Sequence, residues 1–211
     1  MAGKPVLYSY FRSSASWRVR IALAIKGIDY DYAPVHLVKD GGEQNKEEYK
    51  SKNPMGQVPA LVIDGLTLTQ SLPIIEYLEE TRPDIPVLPK EPGKRAQARA
   101  IAEVINSGIQ PLQNLKTLQA LGDKKTEWAQ TVISNGFEAL EKMLQSSAGK
   151  YCVGDQVTVA DLCLIPQCYN ASRFSVDMTK FPTIVRIKGA LEQLPAFVAA
   201  DANNQPDTPK E

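Results

Sequence analysis

The hydrophobic period changes twice within the first 35 residues, and this restricts the fold more than any other feature of the chain. Pro5-Val6-Leu7-Tyr8-Ser9-Tyr10 is short and rich in aromatic and β-branched residues, which predicts a strand. From Ser13 to Ile25 the pattern becomes helical, with Trp17, Ile21, Ala24 and Ile25 on one apolar stripe. Ser13 or Ser14 can cap its start, and Lys26-Gly27 is a stop signal. Tyr30-Asp31-Tyr32-Ala33-Pro34-Val35 returns to a strand pattern. Such a β-α-β unit closes right-handed, with parallel strands.

Residues 39–53 are polar and without a clear period, which predicts an exposed loop with at most a short helix. Val58–Ile63 and Leu66–Thr69 flank Asp64-Gly65, a strong hairpin signal. Gln70-Ser71 then opens an apolar helical run through Leu78, with Pro73 suited to its first turn. Prolines 83, 86, 89 and 92 punctuate the next stretch, where a domain boundary is expected. Beyond it no strand is convincing. Arg95–Leu121 reads as one long helix kinked at Pro111, and Glu127–Leu144 as a second. Thr158-Val159-Ala160-Asp161 has the form of a capping box ahead of an apolar helix, and Thr183–Leu194 is a further helix. The end, Asn203–Glu211, is expected to fray. The reading is therefore an α/β domain over 1–84, a linker near 85–91 and an all-α domain over 92–211. The order β-α-β/β-β-α matches a thioredoxin-like fold.

Charge and cysteine usage narrow the chemistry. Lys and Arg total 24 and so do Asp and Glu, so no basic excess marks a nucleic-acid binder. Cys152, Cys163 and Cys168 are odd in number and form no C-x-x-C, which argues against a disulfide framework and a structural zinc site. Free thiols fit a reducing compartment. His36 is the only histidine, so no histidine-rich metal site is expected. The N-terminus shows no apolar signal region, and no run approaches the ~20 residues of a membrane span. These features predict a soluble, cytoplasmic protein that engages neither membrane nor metal.

Three places could carry chemistry. The run Ser13-Ser14-Ala15-Ser16-Trp17-Arg18-Val19-Arg20 follows the first strand, where a thioredoxin-like redox protein would place C-x-x-C. Serines there exclude disulfide exchange and leave hydroxyls beside a helix N-terminus, which favours an anion such as a thiolate. Simple capping by a serine cluster is the competing reading. Val58-Pro59 heads the hairpin, where this fold usually has a cis proline and a backbone able to pair with a peptide-like ligand. An ordinary trans edge proline is the alternative. Gln70-Ser71 opens a helix and could hold a carboxylate, or only cap it.

Together with Asn53-Pro54-Met55, Ile109–Leu115, Tyr151-Cys152-Val153-Gly154-Asp155 and Ala160-Asp161-Leu162-Cys163, these stretches resemble the zeta class of glutathione transferases, the maleylacetoacetate isomerases. The resemblance covers nearly the whole chain. It implies glutathione as cofactor and isomerisation of maleylacetoacetate to fumarylacetoacetate, in tyrosine and phenylalanine catabolism, by reversible thiolate addition. It also implies a homodimer. Ser13 would stabilise the thiolate, with Ser14 and Ala15 around the sulfur and Ser16, Trp17 and Arg18 in the same binding segment. Val58 would pair with the cysteinyl backbone, Gln70 and Ser71 would hold the γ-glutamyl carboxylate, and Gln44 would touch the glycyl end. Gln110 and Asn114, at i, i+4, would add contacts from the helical domain. For a substrate dicarboxylate or haloacid, Arg173 is the first candidate and Arg12 the second. Arg18 and Arg20 lie two apart on a helix and face different ways. Tyr8 reads as strand packing. The chain departs from the class at Ala15, where Cys is usual, and at Lys116, where a small polar residue is commoner. The open alternatives are a general transferase acting on α-haloacids and a non-catalytic binding module.

Overall fold

A computed structural model describes residues 3–210. The chain divides into two compact units. One runs through Ile85 and takes back the segment from Pro195 onward; the other spans Pro86–Leu194.

The first unit contains β1 (Val6–Ser9), α1 (Ser14–Ile25), β2 (Asp31–Pro34), α2 (Glu47–Lys50), β3 (Ala60–Ile63), β4 (Leu66–Thr69) and α3 (Ser71–Thr81). The sheet order is β2-β1-β3-β4, with β1 and β2 parallel and the β1–β3 and β3–β4 pairs antiparallel. This is the thioredoxin-like arrangement. Asp64 and Gly65 join β3 to β4 with φ of 53° and 78°, the left-handed pair a two-residue hairpin turn needs. Leu7, Leu61 and Ile63 of the sheet, Val19 and Leu23 of α1, and Ile74, Ile75 and Leu78 of α3 are almost wholly buried.

The C-terminal segment corrects two expectations. It was assigned with the helical domain and was expected to fray. Instead the helix Pro195–Ala200 packs on α1 within the first unit. The chain beyond it is fastened as well. Gln205 Nε2 donates to the carbonyls of Ala199 and Asp201, and Thr208 Oγ1 to that of Ala202. A polar composition did not prevent docking, because the polar atoms found partners.

The second unit contains α4 (Pro92–Glu103), α5 (Leu115–Leu121), α6 (Lys125–Ser147), α7 (Val159–Arg173) and α8 (Pro182–Leu191). α4 begins inside the proline-rich stretch, with Pro92 at its first position. The Glu91 carboxylate accepts from Gly93 N (2.7 Å) and Lys94 N (2.6 Å). The single kinked helix expected over Arg95–Leu121 is not formed. Val104–Ile109 widens into a π turn, Gln110–Gln113 tightens into 3-10, and Asn114 is extended at ψ 164° before α5 starts. Pro111 lacks the N–H that would continue the ladder, and Asn114 Oδ1 accepts from Thr117 N (2.9 Å), capping a new helix. Gly136 on α6 leaves room for Ile109, whose side chain would have to shift to admit a Cβ there.

α7 is buried nearly all round. Its capping box is present: Asp161 accepts from Thr158 N (2.7 Å) and Thr158 Oγ1 (3.0 Å), and also from Cys152 N (2.9 Å). Glu141 of α6 caps α8 through Thr183 N (2.8 Å) and Ile184 N (3.1 Å). All three cysteines are buried and none is in a disulfide. Burial pushes the Cys168 thiol up to about 12 and the Cys152 thiol well above its ordinary value. Raised thiols hold little thiolate at pH 8, so these should be inert. Ellman's reagent is expected to titrate all three only after unfolding; prompt reaction of the native protein at Cys152 or Cys168 would contradict this.

Candidate active site

The turn from β1 into α1 builds the centre of the site. Ser13 N donates to Tyr10 O (3.0 Å), closing a tight turn over Phe11 and Arg12. Ser13 is the N-cap of α1 at φ −67°, ψ 112°, and its Oγ accepts from Ser16 N (3.2 Å). Used in this way as an acceptor, a hydroxyl still has its own proton to donate. Ser13 and Ala15 are half-buried, and Ser14 is 6% exposed. No acidic residue occupies the first turn of α1, so its positive end is not offset from within.

Ser16, Trp17 and Arg18, which the resemblance assigns to the same binding segment, are 0%, 2% and 0% exposed. Arg18 reaches across to α3: its Nη1 donates to Ser71 Oγ (3.2 Å), tying α1 to the first turn of α3. α3 also lacks an acid in its first turn. Gln70, its N-cap, is exposed and held at φ 69°, ψ 124°, a conformation that costs a non-glycine residue about 1–3 kcal/mol. Such strain persists only where the surroundings impose it.

The Val58–Pro59 bond is cis. The ladder register of β3 starts at Ala60, opposite Tyr8 and Thr69, so Val58 lies outside the sheet pairing. The segment before it is anchored by Tyr49 Oη (2.7 Å) and Asn53 Nδ2 (2.6 Å), both donating to Gln57 O. Gln44 is half-buried. Its Nε2 donates to Leu37 O (3.2 Å), whereas its Oε1 is buried without a hydrogen-bond partner. Arg12 stacks against the rings of Tyr10 and Phe11, 5.9 and 5.8 Å from their centroids.

The residues expected from the second unit are placed differently. Gln110 and Asn114 do not share a helix face, because the chain between them is 3-10 and breaks at Asn114. The Asn114 side chain is engaged as a cap. Arg173 is exposed at the end of α7; its Nη1 lies 3.4 Å from Asn170 Oδ1 and its guanidinium 5.3 Å from the Phe174 ring centroid.

Sequence reasoning missed what supports the turn. Arg20 is fully buried and donates to Ser9 Oγ (3.1 Å), Tyr10 O (3.3 Å), Phe11 O (2.8 Å) and Ala200 O (3.1 Å). Two arginines within an otherwise apolar helical run were the available signal for buried, bonded side chains.

A thioredoxin-like unit with a hydroxyl, not a thiol, at the start of α1, joined in one chain to an all-helical unit, defines a glutathione transferase. The comparisons agree. The model for the glutathione S-transferase N-terminal domain matches residues 12–81, and that for the C-terminal domain matches residues 112–199. Maleylacetoacetate isomerase of Mus musculus is 60% identical over 211 residues, covering 100% of this chain and 98% of its own length. The crystal structure of maleylacetoacetate isomerase from Anaeromyxobacter dehalogenans 2CP-1, with GSH bound in its active site, matches with a TM-score of 0.89 at 44% identity, over 98% of each chain. A bacterial maleyl pyruvate isomerase of the zeta class, solved in its holo form, matches with a TM-score of 0.93 at 39% identity, over 97% of this chain and 100% of that one. This chain belongs to the zeta class of the glutathione S-transferase family.

Proposed function

We propose that the chain catalyses the glutathione-dependent cis–trans isomerisation of maleylacetoacetate to fumarylacetoacetate, a step of tyrosine and phenylalanine breakdown. One observation carries the reading. Ser13 caps α1 with its oxygen, keeping a proton to donate at a helix end that favours an anion. The surrounding residues fit glutathione. Val58 lies beyond the sheet pairing, and Gln70-Ser71 open a second helix end suited to a carboxylate.

When bound, glutathione supplies a thiolate able to add reversibly to a conjugated double bond, which lowers the barrier to rotation. Ser13 would donate its proton to the sulfur, with the backbone N–H groups at Ser14 and Ala15 adding to the field. Val58 would pair with the cysteinyl backbone, Gln70 and Ser71 would hold the γ-glutamyl end, and Gln44 the glycyl end. Arg18 would act from below by fixing Ser71. Arg173, with Arg12 second, would meet a substrate carboxylate. Ala15 favours a second reading, a broader activity on α-haloacids, since no protein thiol stands beside the sulfur. The protein would act as a homodimer in the cytoplasm, and light scattering should return twice the 23.2 kDa chain mass.

The deciding assay follows maleylacetoacetate with and without glutathione, beside a haloacid. Glutathione-dependent formation of the fumaryl isomer is expected, and turnover without glutathione would overturn the mechanism. If Ala15→Cys moves activity from haloacid to dicarboxylate, the second reading gains. Gln70→Gly provides a separate check. Releasing the positive φ should leave the thermal midpoint unchanged or slightly higher. Loss of the side chain should weaken glutathione about tenfold, the loss of one charge-assisted hydrogen bond. Unchanged affinity by calorimetry would remove Gln70 from the site.

A further inference from the structure

The end of the chain bonds to the same turn that presents Ser13. Asp207 Oδ2 accepts from Phe11 N (3.0 Å), and Asp207 Oδ1 accepts from Tyr32 Oη (2.6 Å). Arg20, buried below, donates to the carbonyls of Tyr10 and Phe11 and to that of Ala200, in the terminal helix. Three successive main-chain groups of the turn are therefore held by charged side chains: Tyr10 C=O, Phe11 N–H and Phe11 C=O. The remaining bond, Ser13 N to Tyr10 O, closes the turn on itself. Charge-assisted hydrogen bonds are about twice as strong as neutral ones, and buried ones are rigid.

We infer that Asp207 is a positioning residue: through Phe11 N–H it sets the turn that places the Ser13 hydroxyl, so the C-terminal tail is a working part of the active site. The inference rests on the role proposed for Ser13. Tyr32 orients the carboxylate, and burial together with the Asp207 hydrogen bond raises its phenol above the ordinary value. Asp207 itself lies 196 residues from Phe11 in sequence, and no pattern in the polar tail marks it.

The test compares full-length Asp207→Ala, Asp207→Asn and Tyr32→Phe with Asp201→Ala. Asp201 caps the tail turn through Asn203 N (2.8 Å) and serves as the control for a tail that is merely loosened. Three measurements are made: kcat and KM with glutathione and maleylacetoacetate, hydrogen exchange of the peptide containing Phe11 and Ser13, and the thermal midpoint. Asp207→Ala should lower kcat about tenfold with a smaller change in KM, since a misplaced group affects the reaction more than binding. Amide exchange in the turn should quicken, while Asp201→Ala leaves both near wild type. Asp207→Asn, which keeps an acceptor oxygen, should recover part of the loss, and Tyr32→Phe should fall between. Unchanged kcat and unchanged exchange in Asp207→Ala would overturn the inference, as would equal losses in Asp207→Ala and Asp201→Ala. If the wild type shows no glutathione-dependent turnover, the functional reading fails by itself. The exchange data then still decide whether Asp207 holds the turn.

Discussion

Replacing Ser13 by alanine is expected to lower turnover about 100-fold, the usual loss when one preorganised donor to a developing or resident anion is removed. Thiolate fraction cannot account for so large a change. A thiol of pKa near 8.5 is about 3% ionised at pH 7, and two units of lowering would ionise about 75%. Lower basicity then returns roughly 6- to 10-fold of that gain, leaving a few-fold net. The remainder must come from orientation, because a sulfur held at the helix end has few other ways to lie. Glutathione affinity should fall only modestly, since Gln44, Val58 and Gln70-Ser71 bind elsewhere on the peptide. Ser13 is also the N-cap of α1, and losing it should cost about 1 kcal/mol, or a few degrees in thermal midpoint for a chain of this size. Ser13→Asp separates the two roles. It retains a cap but sets a carboxylate where the anion belongs, so stability should hold while glutathione binding collapses. If Ser13→Ala turns over normally, the donor is another hydroxyl, with Ser14 the first to examine.

The largest effect on stability is expected at Asp161. Its carboxylate is wholly buried and accepts from two backbone N–H groups, Cys152 and Thr158, and from the Thr158 hydroxyl. Burial raises its pKa, and those hydrogen bonds pull the other way without cancelling the rise. Alanine would leave two buried backbone N–H donors with no acceptor, each costing about 1–3 kcal/mol, and would release the Thr158 hydroxyl as well. A loss of about 3–5 kcal/mol follows, a large share of the 5–15 kcal/mol typical of whole proteins. The thermal midpoint should drop by about 10 °C, and soluble yield should fall with it. Asparagine keeps one acceptor oxygen and should recover part of the loss. A midpoint within 2 °C or so of wild type for Asp161→Ala would mean that water takes the place of the carboxylate.

The elements that were legible in advance are those whose signals are local. The β-α-β switch at Ser13–Ile25, the Asp64-Gly65 turn and the Thr158–Asp161 box each lie within a few residues and were read from spacing alone. The failures occur where a local pattern met a remote partner. Arg95–Leu121 has helical periodicity throughout, yet Pro111 and the Asn114 cap divide it, and the π turn at 104–109 brings Ile109 against Gly136. Trp17 and Arg18 lie in the signature run, but their burial depends on what packs beneath α1. The tail looked disordered because its composition is polar, and polar groups stay disordered only if they find no partners.

From its order of residues alone, this chain is committed to an α/β unit whose first helix is capped by serine, then a strand-free helical half. Spacing, caps and turn residues act over one or two turns of chain and need no knowledge of distant segments. Tertiary structure decided which charged groups are inside, and it brought Arg20 and Asp207 to the turn before Ser13. Those choices depend on desolvation, which is recovered only when a particular donor meets a particular acceptor. Here the partners lie up to 196 residues apart, beyond the reach of any local pattern.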